Sequence, residues 1–280
     1  MAGQFFSVIN NLNSYNSQKN LGVANAGMNS SLGRISSGMR INDAGDDAAG
    51  LAIGNGLKAD FTALTQAVQN ANEGAGIIQV ADSALSQMGD MMARAAQLAS
   101  QAASGTVGPQ ERETINMEYR QIMAEVDRLV DATNYKGEQL FSPTAPVTKD
   151  IAVGDTQLQS SIALSIGGTQ GVGTTALGLE ETSLATPKEA QEALFLIREA
   201  SKDIAEMRGA LGAQENRLTN AVGVIQVQSQ NILAAESSIM DTNMAEEVSM
   251  FTRTKILTEA GMASLAQANA NSQMVLQLFK

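Results

Sequence analysis

Asp46 and Asp47 stand side by side in a glycine-rich stretch, NDAGDDAAGLAIGNG at 42–56. Adjacent carboxylates can share general acid and base work or hold a metal. Here neither chemistry has its other parts. No His or Lys lies beside the pair, the chain contains no His and no Cys at all, and the acidic stretch lacks the spacing of a calcium loop. Without His and Cys, a zinc hydrolase and any triad built on a histidine base lose their usual groups. The glycines have no preceding strand and no Gly-Lys-Ser/Thr ending, so they do not form a phosphate cradle. Two roles remain open for these carboxylates. Asp43, Asp46 or Asp47 could pair with Arg34 or Arg40 within or between subunits, or they could cap a helix from solvent. No catalytic residue, cofactor or metal is expected.

Composition narrows the class further. The 280 residues carry 18 Lys and Arg against 29 Asp and Glu, for a net charge of -11, and only 4% of them are aromatic, with no Trp. A nucleic-acid partner needs a basic stripe, which this sequence lacks. With few rings, Ala, Leu, Ile, Val and 14 Met must do the packing, as in helical bundles. No cleavable secretory signal is recognisable, and no stretch approaches the ~20 apolar residues that span a bilayer.

The elements follow from spacing. Leu21, Ala24, Met28, Leu32, Ile35 and Met39 fall on one face of a first helix, and the glycines of 42–56 are expected to stop it. Leu57, Leu64, Ala71, Ile78, Leu85, Met92 and Ala99 then recur every seven residues. Phe61, Val68 and Ala75 supply a second seam position, which Ala81, Met88 and Ala95 take over after a one-residue shift. Such a helix would be roughly 70 Å long. Gly105, Gly108 and Pro109 end it, and a shorter amphipathic helix runs through Ile115, Tyr119, Ile122, Val126 and Leu129. Residues 135–187, with three prolines and short β-branched runs at 151–153 and 162–166, predict a small hairpin region. A second heptad rod follows through Ala190, Ile197, Ile204, Leu211, Leu218, Ile225, Ile232 and Ile239. The expected fold is mainly α: long antiparallel helical rods in a coiled-coil-like bundle, with a β-hairpin region in the middle of the chain. The domain division predicted is 1–42 with 245–280 as terminal helices, 43–134 with 188–244 as the rods, and 135–187 as the insert.

The two ends differ from the middle. Residues 1–42 carry Lys19, Arg34 and Arg40 and no acid, and 260–280 carry only Lys280. Helices so poor in charge are marginal alone in water. They are expected to order only when neighbours cover Leu12, Met28, Leu32, Ile35, Phe251, Leu257, Leu265, Val275, Leu278 and Phe279. Contacts between copies that do not close on themselves would build an open helical filament.

The stretch SSLGRISSGMRINDAGDDAAGLAI at 30–53 resembles the N-terminal signature of bacterial flagellin, and QAVQNANEG at 66–74 continues it. RGALGAQENRL at 208–218, with 231–246 and 256–269, resembles the C-terminal half. The resemblance covers nearly everything except 135–187 and implies a short flagellin with reduced outer domains. It implies a filament subunit for swimming motility, outside the cell on the flagellum, with the chain ends forming an inner tube and the rods a surrounding layer. It further implies export through the flagellar type III apparatus without a cleaved signal, a chaperone on the C-terminal end, and the filament cap and hook-associated proteins as partners. A Toll-like innate receptor is implied to contact Arg94, Leu98 and Glu118, although Gln97 stands where many members have Glu. The alternatives are a hook–filament junction protein, another coiled-coil structural protein, and a filament that displays a zinc peptidase; the last needs histidines that this chain lacks.

Overall fold

A computed structural model describes residues 11–154, 161–168 and 171–278, apart from the side chains at 272 and 275–278. Among the described residues there are five helices, α1 (Leu12–Ser37), α2 (Ala48–Ala102), α3 (Pro109–Ala132), α4 (Pro187–Met240) and α5 (Met244–Leu278). Four short strands lie between α3 and α4: β1 (Asn134–Tyr135), β2 (Glu138–Gln139), β3 (Val147–Ala152) and β4 (Ser161–Ile166). The chain forms two compact units, one from residues 1–59 with 231–280 and one from 60–230. The helices α2 and α4 contribute to both.

In the 60–230 unit the heptads of α2 make a continuous seam. Leu64, Ala71, Ile78, Leu85, Met92 and Ala99 are buried, and so are Ala67, Gly74, Ala81, Met88, Ala95 and Ala102. The two series alternate three and four residues apart, so the second seam runs without a shift. Phe61, Val68 and Ala75, expected on it, are only half-buried. The small members of the second series explain why it escaped notice, because Ala and Gly give little apolar signal. At Gly74 the space a side chain would need is taken by Ile151 of β3 and Leu218 of α4. Helix α4 answers with Ala190, Ile197, Ile204, Leu211, Leu218 and Ile225, all buried. Asp82 pairs with Arg208 at 2.7 Å, and Gly74 meets Leu218, so numbers rise along α2 as they fall along α4 and the two run antiparallel.

Helix α3 begins at Pro109, which fits a first turn that needs no proline N–H, and the Glu111 carboxylate accepts a hydrogen bond from Gly108 N. Tyr119, Val126 and Val130 bury its apolar face. Arg112 lies buried under the turn before it and donates to the carbonyls of Ala102 and Val107, closing the α2–α3 connection.

β3 and β4 pair antiparallel, Val147 opposite Ile166 and Ala152 opposite Ser161. An isolated two-stranded ribbon is marginal in water. Here Asn70 of α2 donates to the Ala152 carbonyl, and Gln214 of α4 binds both backbone groups of Ser165, one carboxamide satisfying an edge N–H and an edge C=O. Leu164 and Ile166 turn into the core. The small pair β1–β2 was not expected from the sequence; it turns at Lys136 and Gly137, both at positive φ.

In the other unit α1 and α5 lie against each other. Asn11 starts α1, its side chain accepting from Ser14 N and donating to the Ala268 carbonyl, while Ser14 bonds Asn269. Gly261 faces Leu21 and Gly27 faces Thr254, so this pair too runs antiparallel. Helix α1 ends on Gly38, whose φ of 73° is the left-handed cap conformation. The glycines after it do not all break the chain, as the sequence suggested: α2 starts at Ala48 and runs through Gly50, Gly54 and Gly56. The Asp47 carboxylate accepts from Ala49 N and Gly50 N, which supplies the start signal. At Gly54 the space a side chain would need is taken by Met240 of α4.

Candidate self-assembly face

The residues nominated as assembly contacts divide into two sets. Met28, Ile35, Phe251 and Leu265 are half-buried, whereas Leu12, Leu32 and Leu257 are exposed, at 67%, 51% and 51%. Val275, Leu278 and Phe279 lie outside the described side chains and residues. Among the described residues of α1 only Ser31 is buried, and of α5 only Thr258. The two helices touch where Leu21 meets Gly261 and Thr254 meets Gly27, with Met28, Ile35, Phe251 and Leu265 partly covered, while other large apolar side chains stand exposed. Tyr15, Val23, Val248, Ile256 and Met262 join that exposed set. Tyr15 and Val23 were missed because they stand off the three-and-four spacing used to trace the first helix. A fully buried side chain of this kind gains about 1.5–3 kcal/mol over an exposed one, so these side chains would gain from a neighbour that covered them.

The end of α1 is tied to the turn between α4 and α5. Met39 and Asp241 form an isolated antiparallel bridge, Thr242 N donates to the Gly38 carbonyl, and Arg40 donates from its backbone N to Met240 O and from Nη2 to Ile239 O. Arg40 thus holds carbonyls rather than a carboxylate. Arg34 places Nη2 3.7 Å from Asp46 and Nη1 4.0 Å from Glu247, a partner that the sequence did not suggest. Asp46 accepts from the backbone N–H groups of Asn42 and Asp43. Those bonds, followed by the nearby Arg34 charge, hold its carboxyl below the usual aspartate value. Asp43 closes the same turn through its backbone. Nothing in this arrangement offers an acid paired with a base, and the acidic cluster serves turn closure and capping.

A second cluster lies on the 60–230 unit. Arg94 donates from Nε and Nη2 to Glu118 at 3.0 and 2.6 Å, and from Nη1 to Gln97 at 3.4 Å; both charged side chains are about half exposed. Leu98, expected to share this surface, is 2% exposed, so little of its side chain reaches solvent in the single chain.

Two family models match the chain: the bacterial flagellin N-terminal helical region over residues 8–145, and the bacterial flagellin C-terminal helical region over 194–279. The chain belongs to the bacterial flagellin family. A flagellar filament 31.3 kDa core protein of Treponema maltophilum is 37% identical, over 96% of this chain and 98% of its own. A flagellin of Halalkalibacterium halodurans is likewise 37% identical over 96% and 98%. Among solved structures, a protein of Vibrio parahaemolyticus described as flagellar hook-associated aligns with a TM-score of 0.57 at 12% identity, over 70% of this chain and 100% of that one, a likeness of fold. The stretch between the two matched flagellin regions, 146–193, contains β3, β4 and the start of α4.

Proposed function

We propose that this flagellin is a structural subunit that polymerises into a flagellar filament outside the cell and serves swimming motility. The observation that carries this is the set of exposed apolar side chains on α1 and α5, with 1–42 free of acid and 260–280 carrying only Lys280. Relatives that include a filament core protein match 96% of this chain at 37% identity, which supports the filament reading. The terminal helices, 1–42 and 245–280, order as neighbours cover them, so assembly and helix formation are one step. The subunit leaves the cell with its C-terminal end held by an export chaperone and joins a polymer bounded by hook-associated proteins and a cap. Arg94, Leu98 and Glu118 are the contact offered to a Toll-like receptor, with Arg94 and Glu118 supplying its exposed charges.

Negative-stain electron microscopy of the full chain with short filament seeds, beside a chain lacking 1–42 and 245–280, tests the central claim. Long uniform tubes from the full chain and none from the trimmed one are expected. A full chain that stays monomeric or forms only closed oligomers would refute it.

A further inference from the structure

The chain contains 14 methionines and no cysteine, so its sulfur chemistry is all thioether. The structure sorts these side chains by position. Met88 and Met92, on the seam of α2, are 0% exposed, and Met123 of α3 and Met240 at the end of α4 are buried too. Met244, Met250, Met262 and Met274 of α5 are between 44% and 53% exposed, and of the rest only Met39 and Met117 are exposed among the described residues. In a helix that turns about 100° per residue, Met244 and Met262 fall on one side of α5, and Met250 and Met274 fall about 120° away on either flank. Whichever side of α5 a neighbour covers, a thioether stands on it or beside it.

We propose that these four methionines are an oxidation site, at which hypochlorous acid, a two-electron oxidant, stops the unassembled subunit from joining a filament. The inference rests on the filament reading above. Overall, the thioether sulfur gives up two electrons, an S–O bond forms, the O–Cl bond breaks, and chloride and a proton leave, so that each methionine becomes a sulfoxide. A flexible apolar side chain is thereby replaced by a polar one whose oxygen accepts hydrogen bonds. In the free subunit water solvates that oxygen. Under a neighbour the water is gone, the oxygen must find a donor or stay unpaired, and the apolar gain of burial is lost. Met262 and Met274 lie in 260–280, where Lys280 is the only charged residue, so the segment itself supplies almost no cationic donor. The sulfurs of Met88 and Met92 are out of the oxidant's reach while the rods stay folded, so a limiting dose reaches α5 and leaves the core of the 60–230 unit intact. Met117 takes oxidant as well, but it is 53% exposed and its sulfoxide keeps its water in the folded chain. Reductases specific for the two sulfoxide epimers return the thioether, so the block is reversible.

The full chain is treated with a limiting dose of hypochlorous acid, quenched with free methionine and offered filament seeds, while peptide mass spectrometry locates the added oxygen. Met244, Met250, Met262 and Met274 should be oxidised well ahead of Met88 and Met92. The critical concentration for polymerisation should rise about tenfold, and treatment with the two epimer-specific reductases should restore it. A variant combining Met244→Leu, Met250→Leu, Met262→Leu and Met274→Leu keeps volume and apolar character; after the same dose it should polymerise at its untreated concentration. If the oxidised wild-type chain polymerises normally, if Met88 and Met92 oxidise as fast as the four, or if the treated Leu variant is blocked as the wild type is, the inference fails and the filament reading stands. Should the Leu variant not polymerise even untreated, the reductases decide: recovery of the oxidised wild type in step with reduction of the four supports the site, and no recovery overturns it. If the untreated wild-type chain forms no filament, the filament reading itself fails.

Discussion

At the residue scale, the carboxylates that first suggested chemistry turn out to hold backbone. Asp46 collects the N–H groups of Asn42 and Asp43, and Asp47 those of Ala49 and Gly50. The folded carboxyl of Asp46 ionises below the ordinary value of 3.8, so its contribution is fully present above that pH and fades as acid takes the solution below it. Glu125 beside Arg128 and Glu138 beside Lys149 are shifted in the same direction, principally by those hydrogen bonds, so acid loosens all three contacts together. A carbon-detected NMR titration from pH 6 to 2 should show the Asp46 carboxyl with its midpoint below 3.8. Asp46→Asn should remove one part of the acid sensitivity of unfolding and leave the rest. A midpoint at or above 3.8 would mean that the turn at 42–47 does not form as described.

At the element scale, two kinds of contact position the helices and hairpin, and they should respond differently to mutation. Leu85 lies at the buried seam of α2. Leu85→Ala removes core volume that rigid neighbours refill poorly, and it should destabilise the 60–230 unit by about 2–5 kcal/mol in urea unfolding. Gln214→Ala takes a bidentate carboxamide from the edge of β4. It should leave global unfolding little changed and speed amide exchange at Ser165 at least tenfold; an unchanged rate would show that the ribbon does not depend on α4. The contrast also explains what was legible in the sequence. Periodic Leu, Ile and Met announce α2 and α4 because seven-residue spacing and large side chains coincide. The second seam through Ala67, Gly74 and Ala81 and the start of α2 among glycines are silent, because small residues owe their burial to what presses on them. Of the candidate contacts, exposed Leu12, Leu32 and Leu257 were readable as apolar residues on charge-poor helices. The burial of Leu98 was not legible, because resemblance to a motif carries no information about which way a side chain points. Glu247 as a neighbour of Arg34, and the Arg40 hold on Ile239, join positions some 200 residues apart, which local spacing cannot reveal.

At the scale of the whole molecule, the charges are unevenly spread along the chain. All 29 acids lie within residues 43–259, while 1–42 and 260–280 carry four cations and no acid. A polymer held by its ends therefore concentrates a net negative middle segment in every subunit, and copies repel while their terminal helices attract. On the proposed reading the attraction is apolar burial, which moderate salt changes little; the repulsion is between exposed charges, which salt screens over a Debye length of about 10 Å at 0.1 M. The two should separate in one titration. Raising sodium chloride from about 10 to about 150 mM should lower the critical concentration several-fold, measured by sedimentation of seeded assemblies, and the trend should flatten at higher salt as screening saturates. Were the ends held together by ion pairs instead, the same salt would raise the critical concentration. A rise would place the driving force in the charged middle and not in the apolar face of α1 and α5.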